Sequence, residues 1–288
     1  MTTPKRTVLI TGCSDGGLGA ALAIAFHKAG LHVYATSRNL STMTQLTSLG
    51  IQTLTLDVLS QSSINVCASH LSSLDILVNN AGAMYAMPIS DLSILKAKEL
   101  FDLNVWSYLA VTQAFLPLLL ESKGIVANHT SSASVITLPF QATYNASKAA
   151  MAVYSDTLRL ELEPFGVRVV DLKSGSAASN MGTESKVQAG KAAVLPKGSL
   201  YEVARERVER TMSGVDYQKG AVTADKWAEG VVGDLLKGRT PKVVWKGKGA
   251  WLVSYLSLFP SWLTDGIWKG MTGLDVVAKA VNGAGKDQ

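Results

Sequence analysis

The chain has 288 residues, a net charge of +5 at neutral pH, 47% hydrophobic and 17% charged content, and two cysteines, Cys13 and Cys67. That apolar fraction and length can build a sizeable core, which excludes disordered, collagen-like and disulfide-scaffold classes. The modest basic surplus comes without zinc-finger spacing, an arginine tract or a basic helix interleaved with aromatics, so nucleic acid is not an expected partner. Two cysteines and a start, MTTPKRTVLI, without a signal-peptide pattern lead to the expectation of a cytoplasmic protein.

Taken in chain order, TVLIT (7–11) reads as a strand, followed by an alanine-rich helix from about Gly19 to Ala29 that stops at Gly30. LHVYAT (31–36), IQTLTLDV (51–58), LDILVNN (74–80), GIVANHT (124–130) and GVRVVDL (166–172) repeat the strand signal, with helix-length stretches between them. Strands written as continuous apolar runs are those covered by helices on both faces. The β-α-β order therefore predicts an α/β fold: a Rossmann-type, doubly wound parallel sheet with helices on both faces, in a single domain. Residues 1–248 are expected to form the catalytic unit, with a variable substrate segment at about 180–218. Residues 249–288 are expected to be an apolar extension.

Two uncharged stretches need weighing against a membrane reading. Leu103 to Leu120 contains Asn104, Ser107, Thr112, Gln113 and Pro117, which suits a buried or subunit-interface helix better than a membrane span. Gly249 to Thr264, with AWLVSYLSLFPSWL at its centre, follows Lys242, Lys246 and Lys248 and is interrupted by Pro260. It suits a segment lying in a membrane interface, a part of the core, or a lid over substrate.

The chemistry is concentrated in three places. After the first strand comes T11-G-C-S-D-G-G-L-G19. Glycines there let the backbone turn tightly and approach a pyrophosphate, and the helix that follows offers free N–H groups. Ile10, Gly12, Ser14, Gly16, Gly17, Leu18 and Gly19 are the residues assigned to that cradle. N79-N80-A81-G82 ends the fourth strand; in isolation it is an ordinary Asn/Gly turn, yet its small residues leave room for a flat ring. Y144-N-A-S-K148 opens a helix thirteen residues after Ser131, with Tyr144 and Lys148 on one helical face. An ammonium beside a phenol favours phenolate and is expected to lower the tyrosine pKa.

Together these motifs resemble the short-chain dehydrogenase/reductase family over about residues 5–180. The turn TGCSDGGLG and the segment LPFQATYNASKAA further resemble the subgroup that includes fungal-type 1-acyldihydroxyacetone-phosphate reductases. The resemblance implies that Ser131 polarises a carbonyl, Tyr144 is the general acid, and Lys148 lowers the tyrosine pKa and holds the nicotinamide ribose. It also implies that Asn104 keeps a relay water beside Lys148. Ser132 is the alternative to Ser131, but Pro139 and Tyr144 keep the family's spacing when Ser131 is used. Asn80, Ala81 and Gly82 would line the cofactor, and Asp57 and Val58 would flank the adenine. K173-S-G-S-A-A-S179 replaces the family's Pro-Gly with Ser174-Gly175, leaving Ala177 and Ser179 as candidate carboxamide contacts.

The second strand ends in A35-T-S-R38, where an acid would bind ribose hydroxyls and an arginine instead suits a 2′-phosphate. NADPH is therefore the expected cofactor, with no metal. The expected activity is reduction of a hydrophobic ketone, lipid-like or polyketide-derived. The alternatives are a non-redox isomerase or cyclase that keeps the cofactor as scaffold, and a protein that senses NADPH without turnover. The partners expected are a hydrophobic ketone substrate, a second copy in a homodimer or homotetramer through 103–120, and a membrane surface (endoplasmic reticulum or lipid droplet) touched through 249–264.

Overall fold

The computed structural model describes residues 5–179 and 194–284. Seven strands, β1 (Thr7–Thr11), β2 (His32–Ser37), β3 (Gln52–Thr55), β4 (Ile76–Asn79), β5 (Ile125–His129), β6 (Arg168–Ser174) and β7 (Val243–Lys246), form one sheet. Every pairing is parallel, in the order β3-β2-β1-β4-β5-β6-β7. The helices are α1 (Leu18–Lys28), α2 (Thr44–Ser48), α3 (Gln61–Ser69), α4 (Ile94–Phe101), α5 (Ser107–Ser122), α6 (Ala142–Leu162), α7 (Arg205–Ser213), α8 (Val215–Gln218), α9 (Ala224–Leu235), α10 (Ala250–Leu256), α11 (Asp265–Thr272) and α12 (Leu274–Ala284). This is the doubly wound, single-domain fold expected from the order of segments.

Successive strand residues face opposite sides of the sheet, and each side has its own core. Val8, Ile10, Ile76, Val78 and Val170 pack with α1 and α9 on one face. Leu9, Leu77, Val126 and Val169 pack with α3, α5 and the end of α6 on the other. Both faces are buried, which is why these strands read as unbroken apolar runs.

The strand ends differ from the sequence expectation for identifiable reasons. Asn80 leaves the ladder because its N–H donates to the Thr11 hydroxyl, at 2.9 Å. Asp57 ends the third run by accepting from the Leu59 N–H at 3.0 Å, an Asx-type turn. β6 runs on to Ser174 because β7, which the sequence reading did not include, pairs with it as far as Lys246. VVWK is short and lysine-flanked, too little for a periodic signal.

α4 and α5 continue through one π-helical stretch, Asp102–Trp106, into a helix from Ile94 to Ser122. Among the described residues this is the one helix long and apolar enough to cross a membrane by composition. Its Tyr108, Val111, Phe115 and Leu119 are buried, the last three in the core of the second sheet face, so its apolarity belongs to the core.

The end of β6 is tied down by charge. Lys173 Nζ lies 2.5 Å from Asp171 Oδ2, with the side chains 9% and 3% exposed, and also donates to Ser134 Oγ at 2.9 Å. Thr130 Oγ1 donates to Asp171 as well, so the pair joins β6 to the segment leaving β5. Breaking such a pair strands a buried charge. Asp171→Asn is expected to lower stability by about 3–5 kcal/mol, read from the urea midpoint, with Asp171→Asn/Lys173→Met recovering part of the loss.

Candidate active site

The strand order reverses between β1 and β4, and in such sheets the crevice outside the carboxyl ends of those strands is where ligands bind. The glycine turn leaves β1 at this point. Gly12 has φ +75°, and a Cβ on it would meet Ala81 Cα at 2.9 Å. A Cβ on Gly19 would meet the Gly12 carbonyl oxygen at 2.3 Å and Asn80 Nδ2 at 2.6 Å, so α1 lies against the turn at a distance only glycine allows. Ile10 is buried beneath it. Gly17 is the N-cap of α1; no side chain caps the helix and its first turn holds no acid. Its leading N–H groups are therefore left to an anion, so the cradle fits a pyrophosphate.

The turn is braced by its outer side. Ser14 Oγ lies 3.3 Å from Ser37 Oγ and 3.1 Å from Thr42 Oγ1, and Asp15 accepts from Thr44 Oγ1 and the Gln45 N–H at the start of α2. The Asp15 charge is thus engaged away from the turn. Arg38 follows β2 and is exposed, with no ion-pair partner among the described residues. Asp57 and Val58 follow β3 on the same edge.

At the end of β4, the Thr11 hydroxyl accepts from the N–H groups of Asn80 and Ala81, both at 2.9 Å, while Asn80 Nδ2 donates to the carbonyls of Thr11 and Gly12 at 2.8 and 3.2 Å. Asn104, fully buried in the π-helical stretch, holds the next residues. Its Oδ1 accepts from the Ala83 N–H at 3.0 Å, and its Nδ2 donates to the Ala83 carbonyl and to Ser147 Oγ at 3.0 and 3.1 Å. Gly82 passes so close that a Cβ there would lie 3.1 Å from Asn104 Oδ1 and 3.7 Å from Lys148 Nζ.

α6 supplies Tyr144 and Lys148 one turn apart, both buried. Phe140, just before it, takes φ +66°, a left-handed conformation rare outside glycine. Its buried ring, edge-on to Tyr201 at 5.2 Å, and its carbonyl, accepting from the Met87 N–H at 2.7 Å, hold that turn in place. Ser131 follows β5, its hydroxyl accepting from the Ala133 N–H at 3.1 Å. Of the two serines, Ser131 is the one that interacts with the Tyr144 phenol. Ser132 also lines the cavity.

The electrostatics depart from expectation. The Tyr144 pKa is raised, because burial penalises phenolate more than the Ser131 hydrogen bond favours it. Lys148 does not reverse this. Its Nζ donates to the His129 carbonyl at 2.8 Å, lies 5.9 Å from the Tyr144 ring centroid, and has its own pKa lowered by burial to about 8. Tyr144 is therefore a phenol that keeps its proton, which suits a general acid.

A hydrogen-bond chain that the motifs did not announce runs beneath these groups. Trp227 Nε1 donates to Ser174 Oγ at 3.1 Å, and Ser174 Oγ lies 2.7 Å from His129 Nε2. His129 Nδ1 lies 2.9 Å from Asn80 Oδ1. Burial, with Lys148 nearby, lowers the His129 pKa to about 3, so the ring is neutral at physiological pH. Asn80 Nδ2 is committed to two carbonyls, so Nδ1 carries the proton and Nε2 accepts from Ser174. The only trace of this in the sequence is the Ser174-Gly175 pair. Gly175 is required there by space, since a Cβ would meet the Lys248 carbonyl oxygen at 2.3 Å.

These groups open onto a cavity of about 670 Å³. Leu18, Asn80, Gly82, Ser131, Tyr144, Lys148, Ala177 and Ser179 line it, whereas Arg38, Asp57 and Val58 lie outside it along the crevice. The far wall is Met84, Tyr85, Ile136, Leu138, Met212 and Leu252. Part of the variable segment, 180–193, lies outside the described residues. Its charge-rich helix is α7, which turns Val208 and Met212 inward and carries the Arg205–Glu202 and Arg205–Glu209 pairs outside. Sequence patterning gave no sign that Tyr217, from α8, would reach this cavity.

A family model for the short chain dehydrogenases matches residues 6–190. The chain is 50% identical over 281 residues to a short-chain dehydrogenase/reductase of Pestalotiopsis microspora, covering 98% of this chain and 99% of that one. It is 35% identical over 276 residues to the NADPH-dependent 1-acyldihydroxyacetone phosphate reductase of Schizosaccharomyces pombe, covering 92% and 86%. A solved short-chain dehydrogenase from Streptomyces avermitilis shares the fold with a TM-score of 0.77 at 24% identity, over 97% of this chain and 99% of that one. With the reversed strand order, the glycine cradle and the Ser131–Tyr144–Lys148 cluster already in place, this chain belongs to the short-chain dehydrogenase/reductase family of oxidoreductases.

Proposed function

We propose that the protein is an NADPH-dependent reductase of a hydrophobic ketone. The observation that carries this reading is a buried Tyr144 that shares one cavity with Ser131, Lys148 and Leu18 of the glycine cradle. NADPH, when bound, supplies the hydride. The glycine turn and the N-terminus of α1 would hold its pyrophosphate, and Arg38, next in sequence to Ser37, would take the 2′-phosphate. Ala177 and Ser179, which line the same cavity, would contact the nicotinamide carboxamide. Ser131 donates to the substrate carbonyl oxygen, and Tyr144 gives its proton to the oxygen as negative charge develops there. Lys148 stabilises the phenolate left behind, and Asn104 and the His129 chain keep the surrounding backbone in register. The resemblance of this chain to an NADPH-dependent reductase supports the cofactor assignment.

The apolar far wall favours a greasy substrate. Tyr217 adds one polar requirement: it lines the cavity, and its buried hydroxyl has no hydrogen-bond partner among the described residues, so a substrate oxygen that reaches it would satisfy it. The outer faces of α4, the π-helical stretch and α6 expose Ile94, Leu95, Trp106, Val153 and Leu160, an apolar surface that suits a second copy in a homodimer or homotetramer.

NADPH oxidation followed at 340 nm with lipid and polycyclic ketones tests the reading. Tyr144→Phe is expected to lower kcat by about 10³-fold or more while leaving NADPH affinity nearly unchanged. Tight NADPH binding without oxidation of cofactor on any ketone would instead favour a non-redox use of the site. The Lys148 ammonium exists below about pH 8 and is lost as pH rises through that value, so kcat/KM is expected to fall on the alkaline side of about 8. Lys148→Arg would move that limb upward. Arg38→Ala is expected to raise the KM for NADPH roughly tenfold with little change for NADH; an unchanged ratio would remove Arg38 from the phosphate site.

A further inference from the structure

The net positive charge of this chain arises at one end. From Leu236 to Gln288 there are eight basic and three acidic side chains, which is the whole of the net +5, and the first 235 residues balance to zero. The same end carries an apolar face. Gly249 to Thr264 holds no charged side chain, yet Trp251 is 67% exposed, Leu258 78% and Trp262 68%, with Tyr255, Phe259 and Leu263 also in solvent. This face is not a loose tail. Ala250 and Val253 of α10 and Trp268 of α11 are buried, and Trp268 Nε1 donates to Thr264 Oγ1 at 2.8 Å. Exposed Lys248 immediately precedes it and exposed Lys269 lies on α11. Leu252, Ile267 and Met271 are exposed on this face and also line the active-site cavity, so the two are continuous.

We infer that the face formed by α10, the turn at Ser261–Thr264 and α11 docks on an anionic phospholipid bilayer. Tryptophan and tyrosine at headgroup depth, leucine and phenylalanine below them and lysines around the rim are the composition of a segment lying in the membrane interface. A seven-residue α10 followed by Pro260 is too short to span. A second copy is a poor occupant, because a two-fold contact would set this positive rim against itself. An anionic surface complements it. Docking would bring the cavity mouth to the lipid, so that an apolar substrate enters without crossing water.

The test uses the full chain and needs no turnover, so it is independent of the reductase reading. Co-sedimentation is measured with vesicles of phosphatidylcholine alone and of phosphatidylcholine with phosphatidylserine. The expected result is partition onto the phosphatidylserine vesicles, weakened by salt, with quenching of tryptophan emission by lipid-borne quenchers. Trp251→Ser/Leu258→Ser/Trp262→Ser is expected to partition roughly tenfold more weakly at unchanged NADPH affinity, and Lys269→Glu to lose part of the phosphatidylserine dependence. Failure of the wild type to partition onto phosphatidylserine vesicles, or equal partition of the triple variant, would overturn the proposal. So would absence of vesicle binding together with a fall in light-scattering mass in the triple variant, which would assign the face to a second copy.

Discussion

The catalytic edge of this molecule depends on how the gap between β1 and β4 is closed. These strands are neighbours in the sheet but far apart in sequence, and a parallel pair cannot be joined by a tight turn. Beyond the last ladder bond the chains diverge, one into the glycine turn and the other toward Gly82. Asn80 and Thr11 bridge the divergence with side chains: one hydroxyl accepts two amide protons and one carboxamide serves two carbonyls. The cofactor cradle and the substrate side of the site are therefore one body. His129, Ser174 and Trp227 extend that body to β5, β6 and α9. A neutral imidazole is required for the chain of donors and acceptors to close, and burial beside Lys148 keeps it neutral.

Burial also decides what the ionisable groups can do. Each loses solvation, and each responds by favouring its uncharged form: Tyr144 keeps its proton, Lys148 gives up its proton more readily, and His129 does not gain one. A site arranged this way keeps a proton on Tyr144 near a Lys148 ammonium that persists below about pH 8.

Much of this was legible in the residues. The alternation of short apolar runs with helices foretold the sheet, because both faces are covered. The glycine turn, Asn80, Ser131, Tyr144 and Lys148 were legible because each needs a particular residue type at a particular strand or helix end. What escaped were features made by tertiary contact. β7 is four residues whose place is fixed by β6, and no local pattern marks it. The His129 chain joins four distant segments, and a lone histidine in a strand carries no signal of its own. The expected lowering of the Tyr144 pKa counted a neighbouring charge and left out the desolvation that outweighs it. The stretch 249–264 left several readings open, because composition does not tell which of its tryptophans face solvent.

The π-helical stretch at Asp102–Trp106 bears on how this family member can tolerate change. A π turn holds one more residue than the α turn it replaces, so the helix on either side is out of phase with an uninterrupted one. Each α-helical residue advances about 100° around the axis. Deleting one residue between Asp102 and Trp106 would leave a more regular helix and a higher local propensity. The halves would stay nearly in phase, because the π turn spends its extra residue on the same rotation, but the bulged backbone that brings Asn104 to Ala83 and Ser147 would be lost. The irregular turn is thus one extra residue that seats Asn104 against Ala83 and Ser147 without turning Tyr108 and Phe115 away from the sheet.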